Sequence, residues 1–347
     1  MAQISKSVDF GKAIDLDHVQ GRTVLVTGSA SGLGHGIAQA MAERGAFVTM
    51  VDKNEKLGRP REKQLLDAGF QVRFVQADVT SWESLQSAFK DCLEHSPQHT
   101  LDIVIACAGI PSTSILSESL LKGLAASDDL PEPSSIATIN VNLIGTYYTV
   151  ALALHYFSKG QGAGGVNGKG HNTHNVKGRA HGSASQLGPM FHKHLIFMGS
   201  TFSYVGLPFM SAYYASKMGV RGLWKSLRMP VLFDGSQTAL PFPFRTNFIA
   251  PGWVRTAMIA SFVGELEKAG YKLCEISDVV DVVMRVVCDE TVSGRAIGVA
   301  RDGKSFDIED DSRGADGGKK MWEMFARKDV FGDIKEVSGM EKWFSDG

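Results

Sequence analysis

Between Ser200 and Lys217 the chain reads STFSYVGLPFMSAYYASK, which supplies a hydroxyl at Ser200, a phenol at Tyr213 and an ammonium at Lys217. Tyr213 and Lys217 are four residues apart, so on a helix they share a face, one turn from each other. A free phenol titrates near ~10, too high for efficient proton exchange at neutral pH. A neighbouring cation favours the phenolate, so Lys217 is expected to bring Tyr213 towards the working range of a general acid/base. If Ser200 ends a strand and Tyr213 begins a helix, their side chains face one pocket from opposite sides. Taken alone, Y-x-x-x-K equally describes a helix face with a surface lysine. Its weight comes from the company it keeps.

That company begins at Thr23, where the sequence runs TVLVTGSASGLGHGIAQAMAERGAFVTMVD. An apolar β-branched run (Val24 to Thr27) predicts a buried parallel strand. Ile37, Ala38, Met41 and Ala42 then recur at helical spacing, Gly45 suits a helix stop, and a second apolar strand ends at Asp52. The turn between first strand and helix, TGSASGLG, carries Gly28, Gly32 and Gly34 with Ser29, Ser31 and Leu33 between them. Glycines there let a pyrophosphate approach the backbone, while the helix N-terminus offers N–H donors and partial positive charge. Asp52 lies about 20 residues on, where a carboxylate accepts the hydroxyls of an adenosine ribose and repels a 2′-phosphate. It favours NAD over NADP, although Lys53 and Arg59 lie close enough to meet a phosphate.

The next repeat predicts a strand over Val72 to Gln76, then Asp78-Val79, with Thr80 or Ser81 capping a helix. Asp78 is placed to reach an adenine amino group or to serve as a turn aspartate. A fourth strand spans Leu101 to Ala106, and Ala108-Gly109 after it gives a small-residue floor. Ile136 to Phe157 predicts a long, mostly apolar helix holding Asn140 and Asn142, whose amides need partners if buried. Leu195 to Met198 delivers Ser200. Further on, APGWVRT places Pro251, Gly252, Val254 and Thr256 after another buried strand, Thr256 being suited to a nicotinamide carboxamide. Met258, Ile259, Phe262, Val263 and Leu266 share one helical face, and Ser277 is expected to cap a final helix.

Ser158 to His194 differs in kind: rich in glycine, with five lysines and arginines and no acid, it is expected to be a flexible surface insertion. His171, His174 and His181 lie in it without a cysteine or carboxylate, and no metal site is assigned to them. Overall, 347 residues, 44% hydrophobic, 21% charged and a net charge of -1 describe a globular chain with no basic excess for nucleic acid. Cys92, Cys107, Cys274 and Cys288 form no close pair, which argues for a reducing, cytoplasmic setting. No apolar run approaches the ~20 residues of a membrane span. The expected organisation is an extension (1–20), one α/β domain (21–306) interrupted by the insertion (158–194), and a charged tail (307–347) with Trp322, Phe325 and Trp343 as possible anchors.

The chain resembles the short-chain dehydrogenase/reductase superfamily over roughly Thr23 to Ala300. TGSASGLG is similar to its cofactor turn, ACAG to its N-N-A-G stretch with Cys107 in place of asparagine, YYASK to its active-site motif and APGWVRT to its proline-glycine segment. The resemblance implies a Rossmann-like doubly wound parallel sheet and a nicotinamide cofactor. It also implies that Tyr213 exchanges the proton with the substrate oxygen and Ser200 hydrogen-bonds that oxygen. Lys217 would hold the nicotinamide ribose, and Asn142 would keep a water linking Lys217 to solvent. Homodimers or homotetramers are usual in the superfamily. The long loops and tail look like its filamentous-fungal secondary-metabolism members, which implies an apolar secondary alcohol or ketone as substrate. Ile110, Phe202, Leu207, Phe209, Met258 and Phe262 suit such a pocket. An NADPH-dependent ketoreductase and a non-catalytic dinucleotide-binding scaffold are the alternatives.

Overall fold

The computed structural model describes residues 5–111, 135–159, 193–204, 210–228, 244–268 and 270–308. Outside them lie Leu207 and Phe209, most of the glycine-rich insertion with its histidines, Pro230 and the loop after it, and the tail with Trp322, Phe325 and Trp343.

The strands are β1 (Thr23–Thr27), β2 (Phe47–Asp52), β3 (Val72–Gln76), β4 (Ile103–Ala106), β5 (Lys193–Met198), β6 (Phe244–Pro251), β7 (Ala296–Val299) and β8 (Phe306–Asp307). They form one sheet ordered β3-β2-β1-β4-β5-β6-β7-β8. All neighbours are parallel except β7 and β8. Parallel strands covered on both faces read as unbroken apolar runs rather than alternating ones, and every residue of β1 is buried. Val24 and Val26 enter one core, Leu25 the other, because successive side chains leave opposite faces of the sheet. Each such residue fully buried contributes about 1.5–3 kcal/mol.

Helices α1 (Gly32–Glu43) and α2 (Glu55–Asp67) follow β1 and β2, and α3 (Trp82–His95) follows β3. The Ser81 hydroxyl caps α3 by accepting from the Ser84 N–H at 3.1 Å. Helix α4 runs continuously over Ala137–Lys159, close to the expected Ile136 to Phe157, and by length and composition its 23 residues could cross a membrane, contrary to the expectation that no apolar run approaches that length. In the fold its Leu152, Ala153 and Phe157 are buried in the core shared with α3 and β5. Within α4, Asn140–Ile144 forms one turn of π-helix. Helix α5 is Ser211–Leu227, a 3-10 turn at Ala257–Phe262 leads into α6 (Val263–Lys268), and α7 is Ile276–Cys288. Ser277 does not cap α7. Glu275 does, in a reciprocal box with Asp278, since its carboxylate sits at the N-terminus, where negative charge is favoured.

Two boundaries differ from the sequence reading. Lys193 and His194, expected at the end of the insertion, open β5, where Lys193 Nζ donates to Asp102 Oδ1 at 2.8 Å. The edge strand β8 crosses the expected limit at 306. Asp307 pairs with the equally buried Arg295 and accepts from the Val8 N–H at 2.9 Å. Val8 and Val19, within the expected extension, belong to the core.

Candidate active site

The strand order reverses between β1 and β4, and in such sheets ligands bind beyond the carboxyl ends at that point. A cleft of about 400 Å³ opens there. Its floor is shaped by glycines. Gly28 has φ +71°, and a Cβ on it would lie 2.6 Å from Ala108 Cα; a Cβ on Gly34 would lie 2.2 Å from the Gly28 carbonyl oxygen. No other residue type fits either place. Ser31 does not cap α1 with its side chain, and Ser31, Gly32, Leu33 and Gly34 line the cleft, which puts the positive end of the helix at its wall. Thr27 Oγ1, at the end of β1, accepts from the N–H groups of Cys107 and Ala108 at 3.1 and 3.2 Å and pins the opposite edge.

Asp52 closes β2 at the rim. Its carboxylate accepts from the N–H of Ala30 at 3.1 Å and of Asn54 at 2.9 Å, which fixes its orientation and leaves lone pairs for a ligand. Asp78 accepts from the N–H and hydroxyl of Thr80 at 2.8 and 2.7 Å, bonds that hold its carboxyl below the usual range. From β2, which carries Asp52, to β5, which carries Ser200, is three strand spacings, roughly 14 Å. The glycine cradle, the uncapped helix start and the rim carboxylate fit a dinucleotide laid across that distance.

At the other end stand Ser200, Tyr213 and Lys217, all lining the cleft. The hydroxyls of Ser200 and Tyr213 are hydrogen-bonded, Ser200 Oγ also accepting from the Phe202 N–H at 3.1 Å. Lys217 Nζ donates to the Met198 carbonyl at 2.9 Å and lies 5.6 Å from the Tyr213 ring centre. Burial governs both titrations. It pushes the Tyr213 phenol up to about 12 against the help of Ser200, and lowers the Lys217 ammonium to about 8. The expected lowering of the phenol by Lys217 therefore does not hold in the protein alone. Desolvation disfavours both charged forms together, and the ammonium is directed at a carbonyl rather than at the phenol oxygen. Cys107, beneath them, is likewise raised by burial to about 12 and stays a thiol.

Of the positions expected at the cofactor, Gly28, Ser31, Gly32, Leu33, Asp52, Asp78, Val79, Ala108, Gly109, Pro251, Gly252, Val254 and Thr256 line the cleft. Ser29 does not: it is fully buried and its hydroxyl donates to the Val51 carbonyl at 3.2 Å. Asn142 is also fully buried. Its Nδ2 donates to the Ile110 carbonyl at 3.1 Å and to Ser216 Oγ at 3.2 Å, while Oδ1 accepts from the Ile110 N–H at 2.8 Å. It braces the segment after β4 against α5. Arg59 stays outside the cleft, paired with Glu55 and Glu62 on its own helix and donating to the Phe74 carbonyl, whereas Lys53 lines it. Thr27, Met210 and Trp253 were not singled out by the sequence, although a hydroxyl ending a buried strand was a signal for the first. The segment after Thr256 is held by Arg255, which pairs with Glu267 and, at 2.9 Å, with Glu275.

A family model described as short chain dehydrogenase matches residues 22–168 and 172–266. Among curated proteins, the chain is 33% identical to NADP-dependent dehydrogenase M3 of Phoma sp., over 95% of this chain and 91% of the relative. It is 33% identical to 5'-hydroxyaverantin dehydrogenase of Dothistroma septosporum, over 86% and 90%. Against human 15-hydroxyprostaglandin dehydrogenase [NAD(+)] it is 27% identical over 73% and 76%. A solved structure of 3-ketoacyl-(acyl-carrier-protein) reductase from Brucella melitensis, complexed with NADH, superposes with a TM-score of 0.60 at 20% identity, covering 81% and 97%.

Proposed function

The chain belongs to the short-chain dehydrogenase family and is a nicotinamide-dependent oxidoreductase of alcohols and ketones; from this premise we propose that its cofactor is NAD and its substrate an apolar secondary alcohol of secondary metabolism. The observation that carries the cofactor assignment is Asp52, a carboxylate held by two backbone N–H groups at the rim of the glycine turn. A 2′-phosphate placed there would meet negative charge, and Arg59 is committed to Glu55 and Glu62. The substrate class is supported by the names of the fungal relatives and by the apolar end of the cleft, where Ile110, Phe202, Met258 and Phe262 stand.

The bound nicotinamide supplies or takes up a hydride. In the oxidising direction the carbinol C–H and O–H bonds break and a C=O bond forms; the electron pair leaves as hydride and the proton passes to Tyr213. Ser200 holds the same oxygen. Lys217, nearly dehydrated and donating to Met198, holds the ribose side of the site. With its phenol held above the usual range by burial, Tyr213 gives its proton in the reducing direction and must ionise before it accepts one in the oxidising direction. Ionisation needed for oxidation is favoured by any cation brought beside it.

Steady-state rates with matched concentrations of NAD and NADP test the reading. At least a tenfold higher kcat/KM with NAD is expected. The reverse preference would establish a second reading, an NADPH-dependent ketoreductase in which the cleft-lining Lys53 meets the phosphate, as the name of the Phoma relative suggests. We also propose self-association of this enzyme across the outer faces of α4 and α5. Ile144, Tyr147 and Met218 are exposed there, on helices so close that a Cβ on Gly219 would lie 2.8 Å from a Leu143 methyl. Light scattering on the eluting protein should give a multiple of 37.5 kDa.

A further inference from the structure

The charged side chains among the described residues lining the cleft are Asp52, Lys53, Asp78 and Lys217. The first three belong to the ends of β2 and β3, and Lys217 lies buried beneath Tyr213. From β2 to β6, whose end carries Trp253, is four strand spacings, roughly 19 Å. Among the described residues, this far end is lined by Phe202, Met210, Trp253, Met258, Ile259 and Phe262, and the polar groups beside them, the Ser200 and Tyr213 hydroxyls and Thr256, carry no charge.

Its aromatic rings are arranged, not merely present. Tyr213 meets Phe202 edge to face, with centroids 6.0 Å apart at 85°. Phe202 meets Trp253 at 5.1 Å and 80°, and Trp253 meets Phe262 at 5.9 Å and 77°. Tyr214 packs on Phe202 from another side, at 5.3 Å. Edge-to-face pairs are favoured because each ring has a negative face and a positive rim. The series therefore fixes ring planes from the acid/base phenol to the 3-10 turn at Ala257–Phe262. A planar ring in the ligand can join such a series by the same electrostatics, whereas a saturated ring of equal size gains burial alone.

We propose that this oxidoreductase acts on neutral alcohols whose carbinol carbon bears a flat aromatic group, and that Trp253 is the specificity-determining residue receiving that ring. Phe202 is a positioning residue: it touches both Trp253 and Tyr213, so it sets the ring of the ligand and the proton carrier in one frame. The proposal rests on the alcohol-oxidising reading above, and two independent readouts separate them.

The test compares 1-(2-naphthyl)ethanol with 1-cyclohexylethanol as substrates, using the dinucleotide the enzyme prefers, for wild type, Trp253→Leu and Trp253→Phe. In parallel, calorimetry measures the Kd of 2-acetonaphthone for the dinucleotide-saturated protein. Wild type should favour the naphthyl alcohol by tenfold or more in kcat/KM. Trp253→Leu should lose about tenfold on that alcohol, mostly through KM, and less than twofold on the cyclohexyl one; the ketone Kd should weaken in step. Trp253→Phe should restore most of the difference, which a merely misfolded variant could not. Turnover without preference for the aromatic alcohol, or equal losses on both, overturns the aromatic wall and leaves the activity standing. Tryptophan-dependent ketone binding with no turnover of either alcohol by wild type overturns the activity and upholds the wall. Neither binding nor turnover overturns both.

Discussion

Replacing Lys217 with methionine should change how stability depends on pH, and the size of the change follows from burial. The ammonium is 5% exposed, and burial lowers it from 10.5 to about 8. At about 1.4 kcal/mol per tenfold change in proton affinity, keeping the charge inside the fold costs about 3 kcal/mol below pH 8. Folded and unfolded chains both carry the proton there, so the cost is present in full. Above about pH 8 the folded protein releases the proton while the unfolded chain keeps it to about 10.5, and wild-type stability recovers relative to the variant. Loss of the bond to the Met198 carbonyl works the other way by about 1–3 kcal/mol, nearly independently of pH. The two forms should therefore be close in stability at pH 7. The wild-type advantage should then grow by about 3 kcal/mol as pH rises from 8 to 10.5. Urea unfolding of nucleotide-free protein at intervals of pH, wild type minus variant, measures this directly, because groups distant from Lys217 cancel in the difference. A flat difference over that range, or one that falls, would show that the ammonium is solvated after all and would remove the basis for reading Lys217 as a desolvated cation.

Further outcomes follow from the same geometry. Tyr213→Phe should lower kcat by about 10²–10⁴, the usual contribution of a positioned acid/base, while dinucleotide Kd by fluorescence titration stays within threefold; undiminished kcat would take Tyr213 out of the chemistry. Gly34→Ala puts a methyl 2.2 Å from the Gly28 carbonyl oxygen, so the turn must open. Calorimetry should show dinucleotide affinity down at least tenfold, and denaturation a stability loss of about 1–3 kcal/mol. Retention of both would mean that the turn is looser than its contacts. Asp307→Asn leaves the buried Arg295 guanidinium without its charge partner, and a loss of about 3–5 kcal/mol is expected in urea unfolding. A loss under 1 kcal/mol would show that β8 is dispensable.

The parts of the fold legible in the sequence were those set by short-range periodicity. The four-residue step from Tyr213 to Lys217, the apolar runs of β1 and β2, and the glycine turn between strand and helix all sit where spacing put them. Four kinds of feature escaped. Ser277 looked a better cap than Glu275, yet the choice depended on where the chain enters α7, which tertiary contacts decide. Ser29 and Arg59 had suitable chemistry near the turn, but the Val51 carbonyl claims one and carboxylates of α2 claim the other. The phenol of Tyr213 was expected to fall under the influence of Lys217. A motif shows the nearby charge without showing the loss of water around both groups, and here desolvation is the larger effect. The aromatic series from Tyr213 to Phe262 joins residues up to 60 positions apart, which no local pattern reveals.

The bracing by Asn142 makes the two sides of the cleft mechanically unequal. Its amide bonds Ile110 on the floor and Ser216 on the helix that bears Tyr213 and Lys217, so three hydrogen bonds tie floor to helix. The opposite flank, Ala257–Lys268, is tied inward through the Phe262 ring against Trp253 and at the surface through the Arg255 ion pairs with Glu267 and Glu275. Exposed pairs of this kind weaken with added salt, whereas buried amide bonds do not. Added salt should therefore weaken the outer ties of that flank and leave the Asn142 bonds beneath the reacting groups intact.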